Sequence, residues 1–164
     1  MRKTSILFVC LGNICRSAAA EAIMKAVADK AGIGNFLSID SAGILNVHEG
    51  QPADLRMRQA AMAHGYDVCS ISRPVTLADF DKFDLIIGMD NSNIDDLKDK
   101  ALTQEHIDKI HAMREFFTKY TDDYIPDPYY GGAAGFELVI ALLEDACGGL
   151  TEKLKKEIEK NNIE

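Results

Sequence analysis

Long apolar runs are missing from this 164-residue sequence. No stretch approaches the roughly 20 residues that a membrane-spanning helix needs. The first apolar run, Ile6 to Val9 behind Met1-Arg2-Lys3-Thr4-Ser5, is too short for a signal-peptide core, and no small-residue cleavage site follows it. A cytoplasmic location is therefore expected, with no membrane partner. Positive charge is also scarce. Lys and Arg number 18 against 26 Asp and Glu, for a net charge of −8 and a pI near 5.0. That balance argues against generic nucleic-acid binding. It also means that any anion site must build its positive potential locally, because the whole molecule repels an anion.

Metal-ligand patterns are absent too. The cysteines Cys10, Cys15, Cys69 and Cys147 match neither a C-x-x-C pair nor a zinc spacing. The histidines His48, His64, His106 and His111 include no i, i+4 pair. No metal and no cofactor are expected. Cytoplasmic thiols stay reduced, so the useful question is whether one of them is catalytic. Repeats, low-complexity linkers and breaks in composition are lacking as well. One domain over residues 1–164 is expected, as a monomer, although nothing in the sequence fixes the oligomeric state.

What is present is an alternation of strand and helix patterns. Residues 4–9 read as a buried strand, and a helical pattern with Ala20, Ile23, Val27 and Ala31 on one face starts at Ser17. Residues 36–42 read as a second strand and Pro52 to His64 as a helix closed by Gly65. A short helical turn at 76–80, a buried strand at 84–89, a short helix at 91–98 and a weak strand within 107–113 follow. Residues 121–132 read as a loop. The last helix spans about 135–161, with Phe136, Ile140, Leu143, Cys147, Leu150, Leu154 and Ile158 on one face and a kink expected at Gly148-Gly149. This predicts an α/β fold: a small doubly wound three-layer sandwich, its four-stranded parallel sheet flanked by helices. Ligands of such sheets sit beyond the carboxyl ends of the strands. The first strand ends at Val9, and the next residue is Cys10.

Residues 10–17 read Cys-Leu-Gly-Asn-Ile-Cys-Arg-Ser. A strand-loop-helix junction aims successive backbone N–H groups into one concavity, and the helix dipole adds positive potential there. Gly12 lets backbone approach a ligand, Asn13 tolerates a left-handed conformation, and the planar fork of Arg16 suits two phosphate oxygens. The phosphate-binding groups are thus Leu11, Gly12, Asn13, Ile14, Cys15, Arg16 and Ser17. The same donors favour a thiolate at Cys10, and Ser17 is placed to donate a hydrogen bond to it. Cys followed by Arg six positions later is a weak signal alone. Its setting, behind a buried strand and ahead of a helix, strengthens it. The plainer alternative is an inert buried thiol at a strand end.

Val9-Cys-Leu-Gly-Asn-Ile-Cys-Arg-Ser17 resembles the active-site loop of the low-molecular-weight protein tyrosine phosphatases. Asp40-Ser41-Ala42-Gly43 resembles that family's second-strand ending. Phe83-Asp-Leu-Ile-Ile-Gly-Met-Asp90, with Ser92-Asn93, resembles its third strand and turn. Asp127-Pro128-Tyr129-Tyr130-Gly131 resembles its general-acid loop. The resemblance implies that Cys10 is a nucleophile, that Arg16 binds phosphate, and that Asp127 acts as acid and then base on tyrosine-phosphorylated protein substrates. It implies cleft walls at Tyr129 and Tyr130, phosphorylation of those two tyrosines, and a reversible Cys10–Cys15 disulfide under peroxide.

Three positions depart from the family pattern. Ala18 stands where Pro is usual. Val47, beside His48, stands where an aromatic wall is common. Ser70 takes the place of a histidine that buttresses the loop asparagine, and Ser70 is expected to bond Asn13 more weakly. A protein arginine phosphatase of the same fold is the alternative, but those members carry Thr where Ile14 stands. A thioredoxin-coupled arsenate reductase needs two further cysteines close together, and only Cys69 lies in that region. A catalytically dead phosphotyrosine-binding module would not need Cys10, Arg16 and Asp127 together. A P-loop NTPase is excluded because no Lys follows the glycine loop.

Overall fold

The apolar run near the N-terminus becomes strand β1 (Thr4–Cys10) in the computed structural model, which describes residues 2–163. Its side chains alternate between two cores. Ile6 and Phe8 pack with Met24, Ile87 and Leu143, whereas Leu7 and Val9 pack with Phe80, Ile86 and Leu97. Both faces are buried, which is why the run reads as continuously apolar rather than alternating.

Strands β2 (Leu37–Gly43), β3 (Leu85–Gly88) and β4 (Ile110–Ala112) complete one parallel sheet in the order β2-β1-β3-β4. Helices α1 (Arg16–Lys30), α2 (Leu55–Ala63) and α6 (Ala133–Ile163) supply the first core. Helices α3 (Leu77–Lys82) and α4 (Asn91–Lys100) cover the other face, with α5 (Gln104–Asp108) leading into β4. The result is the expected three-layer α/β sandwich. The chain leaves β1 for β2 on one side and returns to β3 on the other, so a topological switch point lies beside the end of β1, at Cys10.

Several boundaries differ from the sequence reading, each for a local reason. The helix expected from Pro52 begins at Leu55, because Pro52 bridges Ile71 and the Asp54 carboxylate caps the helix by accepting from the Arg56 N–H at 2.8 Å. Phe36 belongs to a short 3₁₀ turn before β2. The weak strand over 107–113 is only Ile110–Ala112, and the α5 turn before it is capped by Thr103. Helix α6 continues without a break through Gly148-Gly149, where a kink is expected. A Cβ on Gly149 would fall 2.0 Å from the Phe116 carbonyl oxygen, so glycine there serves close packing. No helix among the described residues is long and apolar enough to cross a membrane.

Candidate active site

The loop between β1 and α1 is held by its own carbonyls. The carbonyl oxygens of Cys10, Leu11, Gly12 and Ile14 accept from Ile44 N–H (2.9 Å), Leu45 N–H (2.9 Å), the Ser72 hydroxyl (2.9 Å) and Asp54 N–H (2.8 Å). In a trans peptide the N–H points opposite to the C=O, and no described peptide is cis. Four carbonyls pulled outward therefore turn the N–H groups of Leu11, Gly12, Asn13 and Cys15 inward. The neighbouring strand leaves room for this: a Cβ on Gly43, paired with Cys10 in the sheet, would sit 3.0–3.1 Å from backbone atoms of Gly12, Asn13 and Leu11.

Asn13 takes the left-handed conformation, at φ 57°. Its Oδ1 accepts from the Arg73 N–H at 3.1 Å, which fixes the amide orientation because a backbone N–H can only donate. Its Nδ2 then donates to Ser17 Oγ at 2.8 Å, and Ser17 Oγ lies 3.0 Å from Cys10 Sγ. Ser70, expected as the buttress, is not one. Its hydroxyl is buried without a partner among the described residues, and the support comes from Ser72 and the Arg73 backbone further along the same extended segment. Arg73 is itself clamped by Asp40 (3.0 Å) and Asp79 (2.9 Å).

Arg16 is almost fully buried. Its Nη1 donates to Asp90 at 2.6 Å and to the Ile125 carbonyl at 3.0 Å, while Nη2 lies 3.6 Å from the Asp127 carboxylate. Burial disfavours its charge, but Cys10, Asp90 and Asp127 outweigh that and hold it firmly cationic. Burial, and the negative surroundings of Asp54, Cys10 and Asp127, push the Cys15 thiol far up. All four cysteines are free.

These groups open on a cavity of about 220 Å³. Cys10, Leu11, Gly12, Ile14, Cys15 and Arg16 form its floor, and Asp127, Tyr129 and Tyr130 stand on one side with Leu45, Val47 and His48 on the other. Asn13 and Ser17 lie beneath the floor, at 1% and 0% exposure. The His48 ring rests against Gly12 and is tilted by 48° to the Tyr129 ring, with centroids 6.2 Å apart. Val47 sits on the rim, 64% exposed, so the ring opposite Tyr129 is His48. Tyr130 is 95% exposed and meets Tyr129 edge-on at 4.9 Å. A buried cysteine, a buried arginine and an exposed carboxylate thus share one small hollow at the switch point.

A sequence profile of the family described as low molecular weight phosphotyrosine protein phosphatase matches residues 5–160. The chain belongs to that family. A putative low molecular weight protein-tyrosine-phosphatase of Synechocystis is 46% identical over 93% of this chain and 98% of its own. The crystal structure of a protein tyrosine phosphatase from Entamoeba histolytica with Hepes in the active site superposes with a TM-score of 0.92, at 48% identity over 94% and 99% of the two chains. A Drosophila arginine phosphatase superposes with a TM-score of 0.85, at 33% identity over 92% and 97%.

This low-molecular-weight phosphatase carries site residues that sequence reading did not single out. Asp90 was visible only as the end of a matched strand segment, yet it holds Arg16. Ser72 and Arg73 lie in a stretch that reads as irregular loop. Leu45 and Arg56 carry no motif at all. The remaining histidines stay outside the cavity: His64 pairs with Glu137 at 2.6 Å, His106 with Asp81 at 2.8 Å, and His111 with Glu115 at 3.4 Å.

Proposed function

We propose that this phosphatase hydrolyses phosphotyrosine in protein substrates, with each site residue in the following role. The Cys10 thiolate attacks phosphorus in line and forms an S–P bond while the P–O bond to the phenol breaks. The Asp127 carboxylic acid gives its proton to the departing phenolate oxygen. The inward N–H groups of the 10–17 loop and the free edge of the Arg16 guanidinium hold the three non-bridging oxygens. In the second step the Asp127 carboxylate takes a proton from water. The water oxygen bonds to phosphorus, and the S–P bond breaks to return the thiolate. Ser17 supports the leaving sulfur: Asn13 fills one acceptor site of its hydroxyl, which leaves the hydroxyl proton free to turn toward Cys10.

The observation that carries this reading is the convergence of Cys10, Arg16 and Asp127 on a cavity walled by the Tyr129 and His48 rings. An aromatic ring that enters beside Tyr129 brings its phosphate to the loop. Ile14 on the floor offers no hydroxyl, which favours an aryl ester over phosphoarginine. Outside the loop, Cys69 is exposed and Cys147 is fully buried on α6, so nothing supports the further close pair of cysteines that an arsenate-reductase relay needs. The matched family spans nearly the whole chain, in keeping with one domain. A catalytic thiol suits the reducing cytoplasm.

The test assays p-nitrophenyl phosphate, phosphotyrosine and phosphoarginine peptides, and arsenate with thioredoxin, on wild type, Cys10→Ser and Asp127→Ala. Cys10→Ser should be inactive. Asp127→Ala should lose on the order of 10²–10⁴ in rate with phosphotyrosine, and less with a leaving group that needs no proton. Retained aryl phosphatase activity in Cys10→Ser would refute the mechanism, and a preference for phosphoarginine would refute the substrate class.

A further inference from the structure

Asp127 stands on a largely exposed loop, with Arg16 3.6 Å from its carboxylate and the buried Pro128 next to it in the chain. Ile125 is fully buried and its N–H donates to the Met89 carbonyl at 2.9 Å, and Phe136 is buried at the start of α6. Between these anchors the loop makes internal turns, Gly131 N–H to Pro128 C=O and Tyr129 N–H to Asp127 Oδ1, and then passes through Gly131-Gly132. A general acid must be held to within a fraction of an ångström of the oxygen it protonates. Arg16 touches only the carboxylate, and among the described residues the hydrogen bond from outside that reaches the loop's backbone between Ile125 and Phe136 goes to the Tyr129 carbonyl.

We propose that Arg56 is a positioning residue that ties the Asp127 loop to the phosphate-binding loop. Its Nε and Nη2 donate to the two Asp54 carboxylate oxygens at 3.1 and 3.0 Å, and Nη2 also donates to the Tyr129 carbonyl at 2.9 Å. The guanidinium plane lies over the Tyr129 ring at 5.5 Å and over the Phe136 ring at 4.8 Å. Asp54 in turn donates its own N–H to the Ile14 carbonyl at 2.8 Å.

A continuous path therefore runs from Ile14 through Asp54 and Arg56 to Tyr129, and by the Tyr129 N–H to the Asp127 carboxylate. The planar fork is needed because one cation serves a bidentate carboxylate, a carbonyl and two ring faces at once. A lysine carries the charge but offers neither the fork nor the stacking plane. The Arg56 side of the pair is about half exposed, so the pair adds little to global stability. Its effect is on where Asp127 sits. The inference rests on Asp127 being the general acid.

The distinguishing property of a displaced acid is dependence on the leaving group. In kcat/KM, Arg56→Ala and Arg56→Lys should each lose about tenfold or more toward a phosphotyrosine peptide, whose phenol has a pKa of about 10. Toward 2,4-dinitrophenyl phosphate, whose leaving group needs no proton, the loss should stay within about threefold. The melting temperature of Arg56→Lys should remain close to wild type. Asp127→Ala is measured alongside. If it discriminates between the two esters while the Arg56 variants lose both equally or neither, the positioning role is wrong and the acid assignment stands. If Asp127→Ala loses both equally, the acid assignment fails and takes this inference with it.

Discussion

Asn13 donates its side-chain amide to Ser17 Oγ at 2.8 Å, and that oxygen lies 3.0 Å from Cys10 Sγ. The direction of the first bond decides the second. A hydroxyl has one proton, and with its lone pair engaged by Asn13 the proton is free for the sulfur; the competing Ala42 carbonyl is further away, at 3.4 Å. Ser17→Ala should therefore lower kcat by roughly 10- to 100-fold, the loss of one hydrogen bond to a charged group at about 1.5–3 kcal/mol. The fold should survive, because the hydroxyl packs against loop atoms that remain in place. Steady-state kinetics with circular dichroism as a folding control checks this.

Asp90 should act through Arg16. Its carboxylate holds Nη1 at 2.6 Å and so turns the opposite edge of the guanidinium toward the cavity. Asp90→Asn keeps the shape and loses the charge. Inorganic phosphate, a product inhibitor that needs the oriented fork, should bind roughly tenfold more weakly, in line with the greater strength of charge-assisted bonds. Its competitive inhibition constant gives the readout. An unchanged constant would mean that the Ile125 carbonyl alone orients Arg16.

Gly43→Ala should damage the site from outside it. The added methyl would press on the backbone of Gly12 and Asn13 at 3.0–3.1 Å, where no flexible side chain can yield. Overpacking of this kind costs about 1–3 kcal/mol, and the displaced loop should lose most of its activity. Chemical denaturation and turnover of p-nitrophenyl phosphate measure the two effects separately.

Burial pushes the thiols of Cys15 and Cys147 well up, reinforced at Cys15 by Asp54 and Cys10 and at Cys147 by Glu144. Both should resist iodoacetamide near neutral pH until the protein unfolds, whereas the exposed Cys69 reacts readily. Mass spectrometry of native and denatured samples distinguishes them. Rapid native labelling of Cys15 would contradict the packing of the loop.

Acid should destabilise the protein chiefly through two carboxylates. At Asp79 and Asp145 burial raises the pKa, but hydrogen bonds win: from Arg73 and Thr76 in one case, from Thr118, Lys119 and Tyr120 in the other. Asp54 is lowered too, first by its hydrogen bond to Arg56, but that half-exposed partner makes it a minor contributor. Groups depressed in the folded state contribute stability that is fully present above the unfolded value of about 3.9, and that is lost as pH falls through the folded values. Asp145→Asn removes one such group and leaves backbone donors poorly served. It should cost about 1–3 kcal/mol near neutrality and flatten the acid limb of the stability profile, while kcat/KM for p-nitrophenyl phosphate is unchanged.

The sequence by itself determined the chemistry and the layer order. Cys10, Arg16 and Ser17 are close in the chain, so a strand end and a helix start bring them together with little help from the rest of the fold. The continuous apolar runs at 6–9 and 85–87 declare strands buried on both faces, and hence a parallel sheet covered by helices. Element ends were less legible, as at Pro52, because caps and bridges to distant residues set them.

Tertiary structure decided everything that depends on contacts between remote segments. It moved the buttress of Asn13 from Ser70 to the Arg73 N–H, put Ser72 on the Gly12 carbonyl, gave Arg16 its partner Asp90, set His48 rather than Val47 across from Tyr129, and joined Arg56 to the carbonyl of Tyr129, 73 positions away. None of these pairs has a local spacing to betray it. A hydrogen bond across the fold is fixed by where the sheet and helices put two backbones, and that placement is written in the whole pattern of burial rather than in any short motif.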